Sequence, residues 1–508
     1  MKKAFYLMAA FLVALTACNQ ESQMENDKIS AGDKVYVTFS IQALTTRSAT
    51  DTGSGDKYGS SDADPGVEVG LVKENTISSV DIVLRNANTY VCASVTSPTK
   101  GAEDASTWTA TFNSSQLATN TDYEVYIYAN CSAKQNIDAI EDEAIADMTQ
   151  DNKFWMTNAY TPGTAKFTSF STNPSAPTPL GDFYVERSMS RFDYMPKGPY
   201  TLADGVTVTL TQAALINQSK AFYLLRRVSN DGTNTGWTVG GAETLANYVV
   251  DTDYAVKKGG YTAAQASNFD YHMTKPATWV WKSIASADLK QKDNWVGKDD
   301  GTTGSGQHDA TLNEYYVWQY CKENTIARVS AQQNGISTGI VFKGELTGDL
   351  VTAAAGKTIY VFDNVMYGTW DKVVAAAKQA NASEALKFAV EVCNNSGAPK
   401  DAATLAAAGF TGFSADGGKY YTYYYYWNRH NDNGKNQDMG KMEFAVVRNN
   451  VYKICVDNIA KYGHPKPGGS DPDPDPVDPN DPDEKAEYYF SVTAKVLPWV
   501  VRVNHVEF

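Results

Sequence analysis

A mainly β architecture, built as sandwiches decorated by a few short helices, is what this sequence predicts, and three observations predict it. Short runs that alternate apolar and polar residues recur along the chain with turn residues between them. The composition is rich in Tyr, Thr, Gly, Asn and Ser while only 20% of residues are charged, a mix that suits strands joined by polar loops. Finally, 508 residues are more than one core organises, so two domains or more are expected.

The elements follow in order. Lys2 and Lys3 lead into an apolar stretch at 4–15, which runs into Leu15, Thr16, Ala17 and Cys18. A charged start, a short apolar core and a small-residue site mark residues 1–17 as a secretory signal peptide, too short to span a bilayer. The cysteine at the cleavage point, followed by polar residues, resembles a bacterial lipoprotein lipobox. Cys18 is therefore the expected lipidation site, and diacylation there would supply a lasting membrane anchor. Residues 34–42 (KVYVTFSIQ) alternate cleanly, with Val35, Val37, Phe39 and Ile41 on one face of a half-buried strand. Arg47 and Ser48 follow, and then 49–66, rich in Ser, Asp, Gly and Thr, reads as an exposed loop. Strands are expected at 77–85, 108–113 and 123–130, and a short acidic helix at 137–148. The Pro- and Thr-rich stretch 173–180 suggests a domain boundary, with a second block beginning near Asp182. Its strands are expected at 206–211, 220–228, 339–346, 357–363, 420–427 and 444–456, and its helices at 373–380 and 384–392. Residues 237–306 read as a long insertion of surface loops.

The last sixty residues are the least ordinary. Residues 448–463 read as a strand and a short helical turn. Residues 465–483 (PKPGGSDPDPDPVDPNDPD) cannot pack and form a semi-rigid, extended leash. The chain then ends on 488–508, which alternates like a strand. A lone strand is unstable in water, so it must pair with its own domain or with another molecule. Phe490, Val492, Ala494 and Val496 repeat the apolar spacing of 35–41, and Trp499, Val501 and Val503 offer a second series. Pro498 is expected to break the strand between them.

The net charge of −14 argues against nucleic acid as a partner. The five cysteines after Cys18 lack CxxC spacing and read as buried small hydrophobes rather than ligands or disulfides. The five histidines are scattered, and no catalytic or metal-binding motif appears, so no enzyme, metal or cofactor is expected. The Asp- and Asn-rich loops at 298–301 and 431–434 read as plain turns. The aromatic run 420–427 (YYTYYYYW) reads as a strand burying alternate rings, with a glycan-stacking platform as the alternative.

Several segments together resemble the fimbrilins of Bacteroidales type V pili, in particular the subunit of the short (minor) fimbriae. They are the lipobox at Cys18, the strand from Val35 to Ile41 followed by Arg47, and the segments 154–157 (FWMT) and 185–191 (VERSMSR). Residues 447–452 (VRNNVY), the Asp/Pro linker and 496–499 (VLPW) complete the set. The resemblance implies two transthyretin-like β-sandwich domains, no enzymatic activity, export through the outer membrane as a lipoprotein, and trimming by an arginine-specific protease. Carried over, the scissile bond is Arg47–Ser48, and the removed strand holds Val35, Val37, Phe39 and Ile41. The implied plan is a signal peptide (1–17), a lipidated propeptide (18–47), sandwich domains at 48–181 and 182–464, a linker (465–487) and a donor strand (488–508). The implied partners are further copies of the chain, head to tail, with tip and anchor pilins, in a surface fimbrium that supports adhesion and biofilm formation.

The residues favour this mechanism on their own terms. Removing the strand would leave an apolar groove between two unpaired strand edges. Burying four such side chains is worth roughly 6–10 kcal/mol, so the groove would seek a replacement, and the terminal segment offers one. Such a head-to-tail contact does not close and produces a filament. A cell-surface glycan-binding lipoprotein is the alternative reading.

Overall fold

The structure is a computed structural model. It describes residues 33–43, 68–99, 107–240, 248–254, 267–291, 295–298, 314–326, 336–395, 401–430, 442–467 and 490–500.

The first domain is one eight-stranded sheet that curls around its own core. Its strands begin with β1 (Lys34–Ala43). The two-residue β2 (Glu68–Val69) and the one-turn α1 (Val72–Asn75) come next in the chain. They are followed by β3 (Val80–Arg85), β4 (Tyr90–Val95), β5 (Thr107–Asn113), β6 (Asp122–Ala129), β7 (Met156–Asn158), β8 (Thr164–Lys166) and β9 (Thr178–Arg187). The hydrogen-bonded order is β4-β3-β6-β7-β9-β1-β5, with β8 on β6. The end strands β4 and β5 lie side by side and feed the same core of Val, Ile, Leu and aromatic residues. Alternation explains these strands: Ile82 and Leu84, Trp108 and Ala110, and Tyr123, Val125 and Ile127 all point inward.

The second domain is a two-sheet sandwich. Its strands are β10 (Ser190–Met195), β11 (Tyr200–Thr201), β12 (Thr207–Ile216), β13 (Lys282–Ser283), β14 (Trp295–Lys298), β15 (Glu314–Cys321) and β16 (Gly339–Thr347). After an inserted unit come β20 (Tyr420–Trp427), β21 (Asn450–Ile459) and β22 (Phe490–Val500). The insertion holds β17 (Ile359–Phe362), β18 (Val365–Tyr367) and β19 (Phe410–Phe413), with α2 (Trp370–Ala377), α3 (Glu384–Asn395) and α4 (Ala402–Ala407) packed on them. One sheet runs β2-β22-β21-β10-β15-β14; the other runs β11-β12-β16-β20 with β13 on β12. Phe192, Tyr194, Leu215, Phe342, Tyr424, Tyr452 and Ile454 fill the space between them.

Several sequence expectations need correction. Only Ile145–Met148 of the stretch 137–148 is helical. Ile140–Glu141 instead pairs with Phe222–Tyr223, a ladder that takes the backbone a helix would need. The stretch 220–228 holds only short strand pieces, Phe222–Tyr223 and Arg227–Ser229. β9 runs through residue 182, and the chain changes sheet at Ser188 and Met189, because Pro179 sits inside β9 opposite Thr38 rather than ending the domain. Parts of the insertion 237–306 are packed rather than looped: Val249, Val250, Phe269, Trp279 and Leu289 are buried. The strand near the C-terminus begins at Asn450, and no helical turn is assigned after Ile459. β22 continues through Pro498 to Val500. With a long ladder on one side only, the strand tolerates a residue that lacks an N–H.

Candidate assembly site

β1 lies inside its sheet. It runs antiparallel to β5, with Val37 opposite Ala110, and parallel to β9, with Ile41 opposite Phe183. Val35, Val37, Phe39 and Ile41 are no more than 2% exposed and share one core with Trp108, Phe112, Phe154 and Val185. Phe39 meets Phe183 edge to face at 6.4 Å. On the outer face Thr38 Oγ1 donates to the Trp108 carbonyl at 3.1 Å, and Ser40 donates to Asp182. A bulge lies between Thr38 and Phe39, opposite Pro179 and Gly181. Gly181 has φ +119, a conformation that side-chain-bearing residues avoid.

The tail strand β22 is held differently. It pairs antiparallel with β21 of its own domain, setting Phe490, Val492, Ala494 and Val496 opposite Ile459, Val456, Ile454 and Tyr452. On its other side Trp499 and Val500 pair in parallel with Glu68 and Val69 of β2. Of the two pairings open to the tail, its own domain or another molecule, the first is the one seen here: the sandwich presents the edge of β21, and the tail backbone satisfies it. The structure does not bring β1 and the tail together, since they belong to different sheets. Cys18, Arg47, Ser48, Val501 and Val503 lie outside the described residues.

Between the two regions is a buried ionic junction that the sequence reading did not assign. Glu74 of α1 is fully buried. Its carboxylate accepts from Arg191 Nη1 at 2.8 Å, from the Leu71 N–H at 2.6 Å and from the Tyr320 hydroxyl. Arg191 also forms a two-pronged pair with Asp193, each contact 2.8 Å. Arg187 donates to the Glu74 carbonyl at 3.2 Å, to Asn449 Oδ1 at 3.4 Å and to Asn75. Burial, and then the neighbouring Arg191, hold the Arg187 guanidinium down at about 9, still cationic at neutral pH. Burial, and then Glu74, push the Tyr320 hydroxyl well up. A visible signal was available: charges at 186, 187 and 191 interrupt runs that otherwise read as buried strand. The junction ties the segment just beyond β2 to the start of the second domain.

Among the described residues no group of His, Cys, Asp and Glu is placed to hold a metal ion. His272 Nδ1 pairs with Thr274 and His430 Nδ1 with the Tyr452 hydroxyl, while His308 and His505 lie outside the described residues. Cys321, Cys393 and Cys455 are buried and Cys92 and Cys131 partly so, all five unbridged. Burial pushes the Cys321 and Cys455 thiols up to about 12, so they stay protonated. In β20, Tyr420 and Tyr424 face the sandwich core, and Tyr423 packs on the opposite face with Trp281, ring centres 5.7 Å apart. The loop at 431–434 lies outside the described residues.

Residues 419–505 match the family described as major fimbrial subunit protein type IV, fimbrillin, C-terminal. No curated protein matches the chain. Similar solved structures include a putative cell adhesion protein from Parabacteroides distasonis, at 11% identity and a TM-score of 0.39, covering 93% of this chain and 99% of that one. A fimbrilin from Porphyromonas gingivalis is 13% identical with a TM-score of 0.38, covering 92% and 98% of the two chains. A tip fimbrial protein from the same organism, truncated at its C-terminus, is 10% identical with a TM-score of 0.34, covering 92% and 100%. The family match takes in β20, β21, which carries the tail's long ladder, and the tail strand β22. Over residues 419–505 the chain thus carries a region that matches the fimbrillin C-terminal family.

Proposed function

We propose that the chain is a fimbrial shaft subunit, exported as a lipoprotein through Cys18, trimmed after Arg47 and polymerised by exchange of strands between copies. The observation that carries this reading is the contrast between β1, an interior strand whose four apolar side chains are wholly buried, and a tail strand of matching apolar spacing that sits beside its sheet's two-residue edge strand. Cleavage after Arg47 does not pull β1 out. It turns β1 from a tethered strand into a separate peptide, and so removes the high effective concentration that keeps it in place. The tail of the next copy, itself tethered in the growing fibre, then competes for a groove lined by Trp108, Phe112, Phe154, Phe183 and Val185. The Asp/Pro linker is the spacer that lets the tail reach across. Partners on this reading are further copies, tip and anchor pilins, and the trimming protease.

The test is polymerisation of purified precursor. Treatment with an arginine-specific protease should give SDS-resistant ladders. Deletion of residues 488–508 should leave a folded monomer and no ladder. Ladders from the deleted chain would remove the tail from the mechanism.

A further inference from the structure

The chain has ten arginines, at 47, 85, 187, 191, 226, 227, 328, 429, 448 and 502, and so 44 − 10 = 34 lysines. The two cations are placed very differently. Arg187, Arg191, Arg226, Arg227, Arg429 and Arg448 are all buried, none more than 8% exposed. Each has a built-in partner. Arg191 pairs with Glu74 and Asp193, Arg226 with Glu186, Arg429 with Glu443 and Arg227 with Asp138. Arg448 pairs with Glu323 at 2.6 Å and donates to the carbonyls of Tyr223 and Leu224. Arg187 is held in the junction already described. Arg85 is the only described arginine with a partly exposed side chain, and its backbone lies in β3, laddered to Tyr90 on one side and Glu124 on the other. Arg47, Arg328 and Arg502 lie outside the described residues. Lysines, by contrast, take the exposed cationic positions, among them Lys153, Lys220, Lys357, Lys372 and Lys378. Only Lys322 and Lys453 of the described lysines are buried.

The guanidinium's fork suits buried ion pairs, and that explains why arginine is used inside. It does not explain why no described arginine is more than partly exposed, where either cation would serve. We infer that this fold withholds its described arginines: an arginine-specific endoprotease acting on the native chain cuts after none of the seven, so one enzyme can trim the chain and leave the described body of the subunit uncut. The inference rests on the proposed trimming after Arg47. The physical reason is that such an enzyme must take the arginine side chain into its pocket with the flanking backbone extended. Here that requires opening a core or a two-sided ladder, so cleavage is limited to the rare opened state.

The experiment treats the full native precursor with an arginine-specific and a lysine-specific endoprotease at matched activity and identifies every new N-terminus. The lysine enzyme should nick exposed loops such as the one after Lys378, whereas the arginine enzyme should open no bond after residues 85, 187, 191, 226, 227, 429 or 448. Lys378→Arg and, independently, Lys153→Arg should each create an arginine-enzyme cut at least about 100-fold faster than any at those seven positions. A native cut after any of the seven would overturn the inference. So would Lys378→Arg and Lys153→Arg chains as resistant as the wild type, because general rigidity rather than arginine placement would then be the protection. An uncut Arg47 in an otherwise intact chain would instead contradict the trimming reading and leave arginine withholding standing.

Discussion

β1 and β22 are both strands near the ends of the chain, yet one is locked in and the other is laid on. β1 has a full ladder on each side and four side chains in the first domain's core. β22 has one long ladder, to β21, and on its other side, among the described residues, the two paired residues of β2. The difference teaches which strand can leave unaided. Freeing β1 breaks two ladders and opens a core, so it does not leave unaided. Freeing β22 breaks one long ladder and a two-residue contact. On the proposed mechanism this is the needed asymmetry: cleavage acts on the strand that cannot move, and exchange uses the strand that can.

The comparison can be broken most severely from inside β1. Val37→Asp places an unpaired carboxylate in a fully buried position and should cost the first domain about 4–5 kcal/mol, read as a large drop in thermal midpoint or loss of soluble precursor. A precursor that tolerates it within 1 kcal/mol would mean that β1 is not locked. Glu74→Ala comes next. It takes a buried carboxylate away from Arg191, while the Arg187 bond to the backbone carbonyl of residue 74 survives, and should cost about 3–4 kcal/mol by chemical denaturation. It should also raise amide exchange in β2 and β22 more than in β1, because Glu74 anchors the segment that follows β2. Equal rises in all three would contradict that order.

Acid should sharpen the contrast more gently. Burial, and then Lys275, push His272 of the second domain from its ordinary 6.5 down to about 4. The folded form is neutral while the unfolded chain takes up a proton. Its contribution is therefore complete above pH 6.5 and is lost as pH falls toward about 4. After allowing for solvent screening the loss is about 2 kcal/mol. The second domain, which holds the tail, should lose stability in that window, and His272→Gln should flatten the profile. An unchanged profile in the variant would remove His272 as the cause.

β1 was legible because strict alternation over seven residues leaves one face no choice but burial. The tail was legible as a strand for the same reason, but its seat on β21 was not, since pairing across thirty or more residues depends on which edge the sandwich leaves open. Pro179 and Pro498 both misled: each reads as a break, and each is accommodated, one at a bulge and one beside a sheet edge. The segment 237–306 was misread because strands of two or three residues, such as Thr238–Val239 and Tyr248–Val250, are too short to show a period. The junction at Glu74 escaped because its partners, Arg187, Arg191 and Tyr320, come from distant parts of the chain, although charges inside a strand-like run at 185–191 were a warning.

The account turns on whether the tail fits the place of β1 and is kept out until β1 is cut free. Binding of a synthetic peptide of residues 488–508 to the chain lacking its own tail, before and after trimming at Arg47, measures this directly. The account predicts stable binding only after trimming, with release of the peptide that carries Val35, Val37, Phe39 and Ile41. Equal binding before trimming, or none afterwards with that strand demonstrably gone, would contradict it.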